Sequence, residues 1–240
     1  MAEKKQGLHI SGMRQFKAIL KKDIVMELRT KEMLTSMGLY ALLVLLIYRI
    51  ALSQAGSAFD VTNIAGGLLW LAIVFTSLLG LNRSLVHEKD QGCLDALLLA
   101  PVDRPVIFFG KAIGNLLFLM IVEVLVTPLF MLIFGAGKYA DASTAGYLAL
   151  ILLVGSIGIA GVGTLLATMS VNTTGKDFVL AVLFIPVMFP LLLAVVAATW
   201  AILIADPQMA VYWKMLGIAA VYDAIMLSAA YALYEFVLGA

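Results

Sequence analysis

Six apolar runs decide what this chain can fold into. They cover residues 33–52, 64–81, 107–134, 144–169, 178–205 and 212–238, and each reaches the ~20 residues that a helix needs to cross the hydrocarbon of a bilayer. A water-soluble core cannot absorb them. The chain is 63% hydrophobic and 13% charged, where soluble domains hold roughly 45–50% and 25%. A β-barrel is excluded because its strands alternate apolar and polar over about ten residues, whereas these runs are apolar on every side. The expected fold class is therefore an all-α integral membrane protein with six transmembrane helices. The first run opens after about thirty mostly polar residues, too late and too long for a cleavable signal, and reads as an anchor.

Orientation follows from the cations. Twelve of the sixteen Lys and Arg residues precede the first run or lie in the connections after the second and fourth, and Lys111 stands at the start of the third run on the same side. Only Arg49, Lys138 and Lys214 fall on the other side. The positive-inside rule then puts both termini in the cytoplasm. Trp70, Trp200 and Trp213 are all expected near the outer interface, where amphipathic indoles favour the headgroup layer. The layout divides into a cytoplasmic tail, residues 1–32, and a six-helix permease-like body, residues 33–240, interrupted by a cytoplasmic segment at 82–106.

Residues 13–31 have the pattern of an interfacial helix. Met13, Phe16, Ile19, Leu20 and Ile24 share one arc, and Arg14, Lys21, Lys22 and Arg29 the opposite one. Such a helix can lie on an anionic leaflet or act as a plain anchor. Asp23 and Glu27 fall within the apolar arc, which suits a protein partner with basic groups better than lipid.

The stretch HEKDQGCLDALLLAPVDRPVIFFGK, residues 87–111, is the second cytoplasmic element. Glu88 and Asp90 bring charge, Gly92 breaks the pattern, and Leu94, Leu97 and Leu98 stand at i, i+3 and i+4 on one face of a short helix that stops near Pro101. Asp103 is a candidate N-cap for the next helix, Arg104 adds a cation, and Pro105 fits a first turn. An ordinary connecting loop has some of these features. The leucine face with acidic flanks favours a docking knob for a soluble partner.

Two carboxylates fall near mid-bilayer, Glu123 in the third run and Asp223 in the sixth. An ionisable group at that depth costs about 2.5–3.5 kcal/mol on insertion scales, so it faces the bundle interior, a cavity or a partner. Packing and a direct part in transport both remain open for the pair. Gly155, Gly158, Gly161 and Gly163 lie inside an apolar run with no Lys-Ser/Thr after them, so they read as close helix approaches rather than a phosphate loop. Pro128, Pro186 and Pro190 are expected to kink their helices and free carbonyls that neighbours must satisfy.

No G-x-x-x-x-G-K-[ST] occurs, so any ATP site belongs to another polypeptide. Cys93 is the single cysteine, which excludes an intrachain disulfide and a thiolate zinc cluster. A nucleic-acid binder and a catalytic constellation fit equally poorly, and no catalytic or metal-binding residue is assigned. His9 and His87 both fall on the cytoplasmic side.

Acidic residues, Gly, a leucine-rich turn, Pro-Val, a basic residue and then Gly-Lys, in that order, resemble the coupling segment of ABC-2-type permeases. More narrowly, the chain resembles the CcmB (heme exporter protein B) family, in GGLLWLAIVFTSLLGLNRSL at 66–85, LVGSIGIAGVGTLLA at 153–167 and LFIPVMFPLLLA at 183–194. The resemblance implies a non-catalytic membrane subunit of a cytochrome c maturation ABC complex in the bacterial inner membrane. It implies an ATPase subunit, CcmA, the heme-handling proteins CcmC and CcmD, the heme chaperone CcmE, and a homodimer of this chain. It places ATPase coupling on Glu88, Asp90, Gly92, Leu94, Leu97, Leu98, Pro101 and Arg104. Heme and ATP are then handled by the complex, with no cofactor held by this chain; an outward-facing His or Cys heme ligand is missing from it. Two rivals stand beside this reading. One is an ABC-2 exporter of lipid, polysaccharide or drug; the other is an ion-coupled secondary transporter using Glu123 and Asp223.

Overall fold

A computed structural model describes residues 12–54, 62–90, 104–134, 142–170, 173 and 175–237. They form seven helices: α1 (Gly12–Thr30), α2 (Glu32–Gln54), α3 (Thr62–Asp90), α4 (Arg104–Phe134), α5 (Ala142–Ser170), α6 (Lys176–Leu203) and α7 (Met209–Val237). No strand occurs among the described residues. The six helices α2 to α7 are long and apolar enough to cross a membrane, so the chain is a multi-pass all-α membrane protein.

α3 and α5 are the most buried spans, and α2 and α7 the least. α5 packs against α3, α4, α6 and α7, and α3 against α2, α4, α5 and α6. Sequence explains why α5 takes the centre. A Cβ on Gly155 would strike the Trp70 ring of α3, and one on Gly158 would strike Asp223 of α7 and Leu191 of α6. At Gly161 it would meet Leu227 of α7, and at Gly163 both Leu81 of α3 and Phe184 of α6. In lipid no hydrophobic force draws helices together, so van der Waals contact at close approach carries the association. Glycines on several sides of one helix let three neighbours approach it at once.

Trp70 departs from the interfacial placement expected of it. It is only 1% exposed, and its Nε1–H donates to Thr199 Oγ1 of α6 at 2.8 Å. The indole fills the notch left by Gly155, and packing there outweighs its preference for headgroups. Trp213 does lie at the surface, in an aromatic cluster with Tyr147 and Tyr212. Tyr212 also donates to the Tyr147 carbonyl at 2.8 Å, tying the start of α7 to the start of α5. The three prolines stand inside continuous helices, Pro128 in α4 and Pro186 and Pro190 in α6. Pro190 has no N–H for the Pro186 carbonyl, and next to that carbonyl Tyr222 Oη donates to Val187 O at 2.6 Å.

α1 is helical as expected, but its apolar arc faces protein. Ile19 packs with Ile107 and Phe108 of α4 and Tyr234 of α7, over Gly110, where a Cβ would press on Ile19. The α1–α2 corner turns at Lys31, a non-glycine residue in the left-handed region at φ 55°. Glu27 steadies this turn: its Oε1 accepts the Leu34 N–H at 2.8 Å. That caps the open first turn of α2 and places a carboxylate at its positive end.

Candidate functional site

α3 continues into the segment expected to lie in the cytoplasm. α3 does not stop at the membrane edge. It runs on as helix through Glu88 and Asp90, well past Arg83, the last residue of its membrane-spanning part. The mixed charges at 87–90 are therefore carried on helix. Arg104 opens α4 and is exposed, and Pro105 occupies the first turn as expected. Gly92, Leu94, Leu97, Leu98, Pro101 and Asp103 lie outside the described residues.

α4 carries a winding polar stripe through an otherwise apolar span. Lys111, Asn115, Glu123 and Thr127 are all buried, and their separations of four, eight and four residues keep them on a slowly turning inward face. Lys111, 2% exposed, donates to Asp23 Oδ2 of α1 at 2.9 Å. The basic partner that Asp23 calls for in the sequence is thus within the same chain. Asn115 Nδ2 donates to Thr164 Oγ1 of α5 at 2.9 Å, and Ser156 Oγ of α5 donates to Glu123 Oε1. Of these four positions, sequence reasoning singled out Glu123 alone. The repeat at multiples of four within an apolar run is the signal that finds the other three.

Such interhelical bonds contribute about 0.6 kcal/mol each on average inside membranes. Their sum is small beside close packing, so they set the register of α4 on α5 rather than hold the bundle together. Lys111 differs, because it is a buried charge set against Asp23, which also meets Lys22 at 3.4 Å, and breaking a buried ion pair costs more than losing a neutral bond.

Asp223 is the central residue of α7. It is buried, 5% exposed, and its Oδ1 has no hydrogen-bond partner among the described residues. It lies where a side chain on Gly158 would be. Ser156 and Gly158 are two residues apart on α5, which is about 200° around the helix and about 3 Å along it. Glu123 and Asp223 thus converge on the same turn of α5 from different flanks, with the helix between them. They are not brought together as a pair.

A groove of about 600 Å³ runs between α4 and α5, from Glu123 and Met120 toward Leu132 and Thr144, where α4 ends and α5 begins. Its walls are apolar apart from Glu123, Thr127 and Thr144. Val124 and Leu132 are exposed along its rim, so it opens sideways from the bundle. The polar stripe of α4 thus leads from the end of the bundle that carries the α3–α4 connection to this lateral opening.

Comparison with known proteins places this architecture. The chain is 26% identical over 143 residues to heme exporter protein B of Bradyrhizobium diazoefficiens, covering 60% of this chain and 63% of that one. It is 28% identical over 131 residues to the protein of the same name from Rhodobacter capsulatus, covering 55% and 58%. A third, from Pseudomonas aeruginosa, is 27% identical over 131 residues, covering 55% and 57%. The matched part thus spans less than two-thirds of each of these relatives. A sequence model of the CcmB protein family matches residues 14–235, from α1 almost to the end of α7. The chain therefore belongs to the CcmB family.

Proposed function

We propose that this chain is the membrane subunit of an ABC-type heme export complex in cytochrome c biogenesis. In this reading it is a non-catalytic permease half that passes motion from a separate ATPase to heme handling on the outer face. The observation that carries the reading is the family match over residues 14–235, together with relatives named heme exporter protein B. ATP is hydrolysed by a CcmA-type subunit, and heme, the cargo, is liganded by CcmC-, CcmD- and CcmE-type partners. Two copies of the chain pair as the two halves that ABC logic requires. The protein resides in the bacterial inner membrane with both termini in the cytoplasm.

The fold suits a lever. At 1.5 Å per residue, α3 and α4 are each more than about 40 Å long, and both end in the segment proposed to receive the ATPase. A push at 88–101 moves two helices that are already fastened to the rest. α3 is held by Trp70–Thr199 and by the notches at Gly155 and Gly163; α4 is held by Asn115–Thr164 and Glu123–Ser156. Both displacements converge on α5, which also abuts α6 and α7. Closure of two ATPase subunits in the cytoplasm then becomes a shift of α5 against its neighbours at the outer face. The partners of a tagged chain purified from native membranes test this. An ATPase subunit with heme-handling subunits is the expected result, while an ATPase accompanied by lipid- or polysaccharide-processing proteins would overturn the heme assignment.

A further inference from the structure

α1 sorts its charges when it docks. It contains two acidic residues, and folding turns both inward. Asp23 meets Lys111 at 2.9 Å, while Glu27 is buried under the α2 N-terminus, bonded to Leu34 N–H. Arg14, Lys17, Lys21 and Arg29 stay exposed on the opposite face, with Val25 and Leu28 exposed between them. The two carboxylates that argue against a lipid surface in the sequence are thus removed from the surface. What remains outward is cationic with apolar residues interspersed.

Position indicates what this face meets. α1 lies along the flank of the first turns of α4, with Gly12 against Val106, Ile19 against Gly110, and Leu20 and Asp23 against Gly114. α2, a membrane-spanning helix, begins directly after the corner at Lys31. α1 therefore sits at the level where hydrocarbon begins, and its outward face points sideways from the bundle. A soluble protein approaching along the bundle axis reaches the ends of α3 and α4. A headgroup in the surrounding leaflet reaches α1.

We infer that the outer face of α1, built on Arg14, Lys17, Lys21 and Arg29, is a binding site for anionic phospholipid headgroups. Val25 and Leu28 rest against the first methylenes below the headgroups. Ala18, Lys21, Val25, Met26 and Arg29 border a shallow depression on this face, open enough to admit a phosphate. The site is independent of the proposed heme role and holds whatever the complex transports.

The test uses the full chain in detergent, titrated with phosphatidylglycerol and separately with phosphatidylcholine, with bound states resolved by native mass spectrometry. Phosphatidylglycerol is expected to bind more tightly. Lys17→Gln, Lys21→Gln and Arg29→Gln should each weaken it about fivefold, the equivalent of about 1 kcal/mol per cation near an anionic surface. Phosphatidylcholine binding should not change, and Lys21→Arg should retain the tight binding. Phosphatidylglycerol affinity unchanged in all three variants, or an equal loss for both lipids, overturns the inference. So does unchanged lipid affinity with loss of a copurifying protein, which would give the face to a protein partner.

Discussion

Gly155→Leu is expected to leave no stably folded bundle. The residue sits in the central helix, and the position of its missing side chain is taken by the Trp70 ring. Trp70 has no room to move aside: it is buried in the main core, and its indole N–H is held by Thr199. Overpacking costs about 1–3 kcal/mol where neighbours can shift, and here the neighbour is rigid, so the cost lies at or above about 3 kcal/mol. Gly217→Leu on α7 is the control, because nothing lies within 4 Å of its added carbon, and Leu is the better helix former. Thermal stability of the detergent-solubilised chain, followed by size-exclusion chromatography, separates the two. Aggregation or a large fall in melting temperature is expected for Gly155→Leu and near wild-type behaviour for Gly217→Leu. Equal behaviour of the pair would show that close approach around α5 does not hold the bundle.

The second large effect is at the connection between α3 and α4. Reversing Glu88 and Asp90 to Lys, or replacing Leu97 by Arg, should abolish copurification of the ATPase subunit while membrane insertion stays intact. Glu88 and Asp90 lie within α3. Lys is at least as good a helix former as Glu or Asp, so a lost interaction cannot be blamed on unwinding of the helix. Copurification that survives both variants removes the docking role from this segment.

Much of the bundle is legible in the residues because bilayer thickness is a strict ruler. Runs of about twenty apolar residues have few alternatives, and α2 to α7 agree with them to within a few residues at most ends. Connections are less legible. The apolar run stops at 81 while α3 continues to Asp90, since charge marks the end of the hydrocarbon rather than the end of the helix. Trp70 is misplaced for a related reason: the aromatic belt follows from position along a span, whereas burial of this ring depends on Gly155, 85 residues later. Asp23 and Lys111 are likewise 88 residues apart. Periodicity places Asp23 on the apolar arc of α1 correctly, but it cannot say which neighbour supplies the cation. Glu123 and Asp223 are recognisable one by one from the penalty of burying charge. That both lean on one turn of α5 requires the packing of three helices. The groove between α4 and α5 has no local signature, because its lining comes from residues of different helices.

On the proposed function this chain is a passive lever, driven by nucleotide turnover in a separate subunit. Reconstitution of the purified chain into liposomes, with and without the ATPase and heme-handling subunits, tests it most directly, with release of the heme-loaded chaperone as the readout. No release by the chain alone is expected, whether or not a proton gradient is imposed, and release is expected only when the ATPase subunit and hydrolysable ATP are both present. Full release by the chain alone would contradict it.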